Sequence, residues 1–429
     1  MTTRRLAAVV GAICCAALGS GCPEMLGDLA ANETGDVSHP ATRGSPDREL
    51  LDACGHGWAT EAGRQKVQRH PYLQQVTDRS ATVVWTSGAS GTPRVDLFRA
   101  GGPQTLADSP NSVDARKPPV ASAAAAHDLS ARPEGAQQLM VRLDGLEPDT
   151  IYCYSVHQDG ELLVEPAGFR TAPAAGSARP VRFIAWGDSG DGGRRQLALL
   201  EQMHSVAFDL MLVLGDVAYE RGERAELEKN FFGVYLGLAR SFPVYPVAGN
   251  HDYATEHAAP LLEAFVLPEN GLPEATERFY SFDRGDVHFV GIDTERVDSA
   301  QAAWLDADLS ANQRPWTVVF GHAPAFSSGE HGPSLDVQAR FVPIFERHHV
   351  PLVLAGHDHH YQRMKRLGST HYVVSGGGGR ETRDVGWSGL SAHAQAVIHF
   401  LYVTVEGDRM TLHAIDGVGR EFDSLLIER

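Results

Sequence analysis

Two patterns of apolar residues divide this chain. Between residues 67 and 173, β-branched and aromatic positions alternate with polar ones, as in strands buried on one face. Ala81–Thr86 is one such strand, with Val83 and Trp85 on a shared face, and Arg94–Arg99 predicts another. Ala121–Arg132 is Ala- and Ser-rich and reads as a loop. From residue 181 onward the apolar runs are short and nearly continuous, as in strands covered on both faces. They are Val181–Trp186, Leu210–Leu214, Val244–Val247, Val287–Ile292, Thr317–Phe320 and Pro351–Ala355, with further strands expected at Thr370–Ser375, Phe400–Val405 and Met410–Ala414. Helical segments are predicted at Arg194–Met203 and at Ser299–Leu309 behind a Ser299 cap. The expected architecture is an α/β layered domain at 181–429, preceded by an all-β domain at 67–173.

The segment Leu143–Val156 sharpens the all-β assignment. A turn at Glu147–Asp149 feeds a strand in which Tyr152, Tyr154 and Val156 share a face. This resembles the tyrosine corner of fibronectin type III and related sandwiches. Cys153 then falls on the opposite face from Tyr152, where an N-terminal arm carrying Cys54 could meet it.

Length, charge and cysteine usage bound the rest. A chain of 429 residues exceeds one compact core, and 43% hydrophobic residues suffices for two. The formal net charge of −17 argues against general binding to nucleic-acid backbones. A small phosphorylated substrate stays open, because bound cations reverse a local field. Residues 1–22 read as an export signal: Arg4 and Arg5 precede an apolar run, Leu6–Leu18, too short for a transmembrane helix. Leu18-Gly19-Ser20-Gly21-Cys22 resembles a bacterial lipoprotein cleavage site, which implies lipid on Cys22; the competing reading is a simple cleaved signal. The expected location is the bacterial envelope, periplasmic or at the surface, or secretion. Residues 23–66 lack sustained periodicity and read as a flexible stalk, with a short helix near Arg48–Ala53. Removal of Cys14 and Cys15 with the signal, with Cys22 carrying lipid, leaves Cys54 and Cys153 to form a disulfide or two buried thiols.

The chemistry sits in five glycine-led clusters, each after an apolar run: Gly187-Asp188-Ser189-Gly190, Gly215–Tyr219, Gly249-Asn250-His251-Asp252, Gly321-His322 and Gly356-His357-Asp358-His359. Glycine lets the chain turn at a strand end and project the next side chain beyond it. Two carboxylates, a phenol, an amide and several imidazoles are hard and borderline donors suited to two neighbouring metal ions. His357 and His359, two apart in extended geometry, point to one side; His360 alternates away as an outer or surface residue. Gly376–Gly379 reads as a structural turn, since no Lys-Ser/Thr pair follows it.

In this order the clusters resemble those of the calcineurin-like metallophosphoesterases, and within them the purple acid phosphatases. The resemblance covers about residues 67–429: GDSG at 187–190, GDVAY at 215–219, GNHD at 249–252, Val319-Phe320-Gly321-His322, and GHDH at 356–359. It implies that Asp188, Tyr219 and His359 hold a ferric ion and that Asn250, His322 and His357 hold a divalent Zn, Mn or Fe. Asp216 would bridge the two. It also implies substrate contacts for His251 and His331, and hydrolysis of phosphate monoesters by a metal-activated hydroxide. A phosphodiesterase or nucleotide hydrolase could use the same donors, because loops such as 254–277 and 326–334 set the substrate. A non-catalytic metal- or partner-binding surface lipoprotein is the reading outside catalysis.

Overall fold

The computed structural model describes residues 45–88, 91–100, 121–123, 131–132 and 136–429. The expected signal, Cys22 and residues 23–44 of the expected stalk lie outside them. Among the described residues no helix is long and apolar enough to cross a membrane.

Among the described residues the N-terminal part holds eight strands: β1 (Val67–Gln74), β2 (Ser80–Ser87), β3 (Pro93–Arg99), β4 (Ala121–Ala123), β5 (Ala131–Arg132), β6 (Ala136–Asp144), β7 (Ile151–Gln158) and β8 (Glu161–Arg170). They form two antiparallel four-stranded sheets, in the orders β1-β2-β6-β5 and β4-β3-β7-β8. Leu73, Val83, Trp85 and Val141 of the first sheet share a core with Leu97, Tyr152, Tyr154, Val156 and Phe169 of the second. The Tyr152 hydroxyl accepts a hydrogen bond from Glu147 N at 3.0 Å, which pins the turn to the strand it feeds. The segment 121–132, expected as a loop, contains the two short strands β4 and β5.

The expected stalk is shorter than its composition suggested. Arg48–Cys54 and Glu61–Lys66 are helices, and backbone bonds from Gly57 N to Pro166 O and Thr60 N to Leu163 O hold the intervening chain on β8. Leu50 is buried, and Cys54 forms a disulfide with Cys153 across a Cα separation of 5.3 Å. Long-range pairing, invisible to local periodicity, orders these residues.

The first sheet is buried on both faces. Alternation sends Val83 and Trp85 into the sandwich, while Tyr72 and Val84 face the helical layer of the following domain. There Tyr72 packs on Phe232 with ring centroids 5.0 Å apart, and Gln74 Nε2 donates to Val244 O at 3.0 Å.

The C-terminal part begins with β9 (Val181–Trp186) and continues through β10 (Leu210–Val213), β11 (Val244–Pro246), β12 (Tyr280–Arg284), β13 (Val287–Gly291), β14 (Trp316–Phe320) and β15 (Leu352–Ala355). β16 (Tyr361–Met364), β17 (His371–Ser375), β18 (Ser391–Gln395), β19 (His399–Glu406), β20 (Arg409–Asp416) and β21 (Glu421–Glu428) complete it. One sheet runs β11-β10-β9-β19-β20-β21 and the other β12-β13-β14-β15-β17-β16-β18. Strands β9, β10 and β11 are parallel, as are β13, β14, β15 and β17.

Alternation explains the layers. Val318, Phe320, Leu352 and Leu354 point between the sheets, where Phe289 meets Phe183 edge-on at 5.2 Å. Val319 and Val353 point outward to Leu305, Leu309, Phe341 and Phe345 on the covering helices. Ser299–Ala311 is one of those helices, but its cap is Asp298, one residue earlier than expected, whose carboxylate accepts from Gln301 N. Arg194–Met203 covers the other sheet through Leu199 and Met203.

Candidate metal centre

All five glycine-led clusters follow the carboxyl ends of parallel strands: Asp188 after β9, Asp216 after β10, Asn250 after β11, His322 after β14, and His357 and His359 after β15. Parallel pairing brings those ends to a common edge, where open α/β sheets usually bind ligands. The turns are tight. Gly215 has φ +85°, and a Cβ there would lie 2.3 Å from His322 Nδ1; at Gly249 a Cβ would lie 2.2 Å from Asp216 Oδ1. Asp188, Asp216 and His357 themselves occupy the left-handed region, with φ of 61°, 50° and 72°. Side chains other than glycine bear a backbone cost there, of the kind that clusters at functional sites.

The structure brings all seven expected donors together in two groups. In the first, the Tyr219 hydroxyl lies 3.0 Å from Asp188 Oδ1, 2.9 Å from Asp216 Oδ2 and 3.1 Å from His359 Nε2. In the second, His322 Nε2 lies 3.2 Å from Asn250 Oδ1, and His357 Nδ1 lies 3.0 Å from the same amide oxygen and 3.2 Å from His322 Nε2. Asp216 Oδ2 belongs to both, at 3.4 Å from His322 Nε2. Candidate ligand atoms of Asp188, Asp216 and His322 all lie within 4.8 Å of one another.

Backbone partners aim these atoms. His251 N donates to Asp216 Oδ1 at 2.9 Å and His357 N to Asp188 Oδ2 at 2.9 Å, so each carboxylate turns its other oxygen inward. His322 Nδ1 donates to Leu214 O at 2.8 Å and His359 Nδ1 to Glu381 O at 2.9 Å. A ring that donates from Nδ1 presents the Nε2 lone pair, the orientation that outer hydrogen bonds impose on metal-ligating histidines. Inward lone pairs on nitrogen, carboxylate and amide oxygen fit a pair of metal cations.

The electrostatics of the protein groups agree. Burial alone would raise the Asp216 carboxyl, but the imidazoles of His322 and His251 outweigh it and hold it below the usual range. Burial opposes a charge on His322, yet Asp216 and Asp188 push this imidazole well above its ordinary value. Burial, then Asp188 and Asp216, raises the Tyr219 phenol well above its ordinary value. Burial, His322 and His331 together lower His357 to about 3. Asp188 and Asp216 therefore favour positive charge beside them, and a metal cation would compete with the protons of His322 and Tyr219 for that place.

The two expected substrate contacts lie at the rim. His251 is about one-third exposed, packs tilted against the Tyr219 ring with centroids 4.4 Å apart, and places Nε2 3.9 Å from Asp216 Oδ2. His331 has its ring 4.4 Å from that of His357, and its backbone N donates to Asp358 Oδ1 at 3.0 Å.

Several supporting residues were given no part in the donor set by the sequence. Asp252 accepts from Gly249 N at 2.9 Å and from Val217 N at 3.2 Å, tying two ligand loops together; burial and Asp216 push its carboxyl up to about 7. Thr294 Oγ1 accepts from His322 N and Ala323 N. Gly376–Gly379 is indeed a structural turn: a Cβ on Gly376 would lie 2.8 Å from Asp188 Oδ2. It delivers Arg380 over the Tyr219 ring at 4.8 Å and Arg383 against His331. His360 is fully buried rather than at the surface.

The comparisons with known proteins agree with this geometry. Residues 181–361 match the family model of the calcineurin-like phosphoesterases. Purple acid phosphatase 22 of Arabidopsis thaliana is 28% identical over 266 residues, covering 56% of this chain and 58% of its own length. An uncharacterized protein of Mycobacterium tuberculosis is 26% identical over 304 residues, 55% of this chain and 57% of its own. The chain thus spans less than two thirds of the length of these relatives. The purple acid phosphatase PPD1 of yellow lupin seeds superposes with a TM-score of 0.70 at 19% identity, over 84% of this chain and 74% of that one. Taken with the site, these likenesses make the chain similar to the purple acid phosphatases, with its likeness to the calcineurin-like phosphoesterases lying at residues 181–361.

Proposed function

We propose that this chain is a dinuclear metal-dependent phosphoesterase that hydrolyses phosphate monoesters. The observation that carries the reading is Asp216 Oδ2, shared by a tyrosine–aspartate–histidine group and an asparagine–bis-histidine group. Asp188, Tyr219 and His359 would hold one ion, suited to Fe(III) by the phenolate, and Asn250, His322 and His357 a divalent one, with Asp216 common to both. Bound there, such a pair lowers the pKa of a water and neutralises charge on phosphoryl oxygens.

The protein's own contribution lies at the rim. His251 Nδ1 donates to Glu220 O at 2.6 Å, so Nε2 is the atom left to exchange a proton with substrate. His331 supplies a second imidazole beside His357. The small phosphorylated substrate, absence of nucleic-acid partners and export to the envelope are part of the same proposal. The cation-suited donor set supports the first, the charge of −17 the second, and the apolar run at 6–18 with the Cys54–Cys153 bridge the last. The N-terminal sheets are proposed as a fibronectin type III-like support, on the strength of the Tyr152–Glu147 bond.

Elemental analysis and a visible spectrum on one sample, followed by turnover of p-nitrophenyl phosphate against its bis-ester, test the reading. About two metals per chain with iron, a broad visible band and monoester preference support it. Faster diester turnover would assign the same site to a phosphodiesterase. Failure to load metal would favour the inert surface-protein reading.

A further inference from the structure

The loop 376–386 crosses the mouth of the centre and is tied to it at three points. Gly378 N donates to Gly187 O at 3.0 Å, Arg380 N to Asp188 O at 3.2 Å, and Arg383 N to His359 O at 2.9 Å. A fourth bond, Gly386 N to Ser328 O at 2.9 Å, joins it to the loop that carries His331. Its two arginines have different surroundings. Arg380 is ringed by Glu220, Asp191 and Glu381 and covers Tyr219. Arg383 pairs with Glu330 at 3.7 Å, and its Nη1 meets His331 Nε2 in a hydrogen bond.

A guanidinium can only donate, so Nε2 of His331 is the acceptor and the ring proton sits on Nδ1. His251 is held the other way: its Nδ1 is spent on Glu220 O and its Nε2 lone pair remains. The two rim histidines therefore offer opposite functions, a lone pair from His251 and an N–H from His331.

We propose that Arg383 is a positioning residue of this site, acting through His331. By occupying Nε2 it orients the ring and fixes Nδ1–H as a hydrogen-bond donor for the phosphoryl oxygens of substrate or product. This rests on the phosphoesterase reading for its ligand class, but phosphate binding tests it without turnover.

The experiment is a double-mutant cycle on the full chain, with Arg383→Ala, His331→Ala and the pair, plus Arg383→Lys. Its readouts are affinity for inorganic phosphate by calorimetry, metal content, and kcat and KM on p-nitrophenyl phosphate. Arg383→Ala is expected to weaken phosphate binding about tenfold, the scale of a charge-assisted hydrogen bond, with metal content unchanged. Arg383→Lys should restore part of it. The pair should bind no more weakly than His331→Ala alone, because the arginine acts through the histidine. Additive losses in the pair, unchanged affinity in Arg383→Ala, or a wild type that binds no phosphate would each overturn the proposal. Phosphate binding that follows the cycle in a protein with no turnover would instead sink the hydrolase reading and leave the role of Arg383 standing.

Discussion

The buried polar groups of the N-terminal sheets and of the phosphoesterase domain differ in kind. In the sheets they are mostly neutral, Gln74, Thr82, Thr86, Ser87 and Gln138, with Arg69 and Asp96 as the charged exceptions. Beyond β9 they include Asp188, Asp216, Asp252, His322 and His359. Strand direction explains much of the contrast. Antiparallel neighbours send successive strand ends to opposite edges, so loops divide between two ends of the sandwich. Parallel neighbours send them to one edge of each of the two later sheets, and the five glycine-led loops meet there. A neutral amide satisfied by a backbone carbonyl, as Gln74 is by Val244, stiffens a contact at little electrostatic cost. Buried carboxylates and imidazoles are expensive unless charge compensates them, which is what a cation site supplies.

The contrast can be broken at its strongest point. Asp216→Ala should lose metal and cut turnover roughly a thousandfold or more, as when one member of a catalytic unit is removed. Full activity with two metals in that variant would end the shared-ligand assignment. In the N-terminal part the corresponding test is covalent. Replacing Cys54 and Cys153 together, which opens a cross-link spanning 99 residues, should destabilise the fold by about 2–5 kcal/mol and leave metal content unchanged. Loss of metal in that variant would show that the two regions are not separable in this way.

A third test concerns a buried charge outside the centre. His288 lies between Asp283 at 2.7 Å and Asp308 at 2.8 Å; burial opposes its charge, but the two carboxylates raise it to about 9. A folded value above the unfolded one means the contribution is full below about pH 6.5 and is lost as pH rises toward 9. About 3 kcal/mol of stability should disappear over that window, read from denaturant midpoints, and His288→Gln should flatten it. An identical slope in the variant would assign the loss to other groups. The mildest expected effect is at Asp252→Ala, where losing the tie between two ligand loops should lower metal affinity about 10–100-fold in chelator competition. Unchanged affinity would show that Gly249 and Val217 hold position without it.

What was legible in the sequence follows from the range of the interaction behind it. Strand–Gly–ligand clusters are local, since an apolar run, a glycine and a donor suffice to place a side chain past a strand end. Their order carried the family resemblance and all seven donors. The helix start at 298–299 was less legible because Asp298 and Ser299 are both capping residues, and only the extended backbone of Asp298, φ −130°, decides between them. The short helix expected near 48–53 is present as Arg48–Cys54, but residues 55–66 looked like stalk because their order comes from β8 and from a disulfide partner of Cys54 about a hundred residues away. Arg383 had no signal: a charged residue among the others of Arg380-Glu381-Thr382-Arg383-Asp384 acquires meaning only when another loop brings His331 to it.

By itself, then, the sequence determined where the apolar runs after residue 181 form strands and which donor follows each. Those are properties of a few neighbouring residues and their burial pattern. The second buried face of β2, by contrast, came only from packing against the following domain. The tertiary structure alone decided that Asp216 turns one oxygen to both donor groups and that His322 and His359 spend Nδ1 on backbone carbonyls. It also decided that the rim histidines present opposite atoms. Each of these depends on the relative placement of separate strand ends, which is set by sheet register and packing across the whole domain.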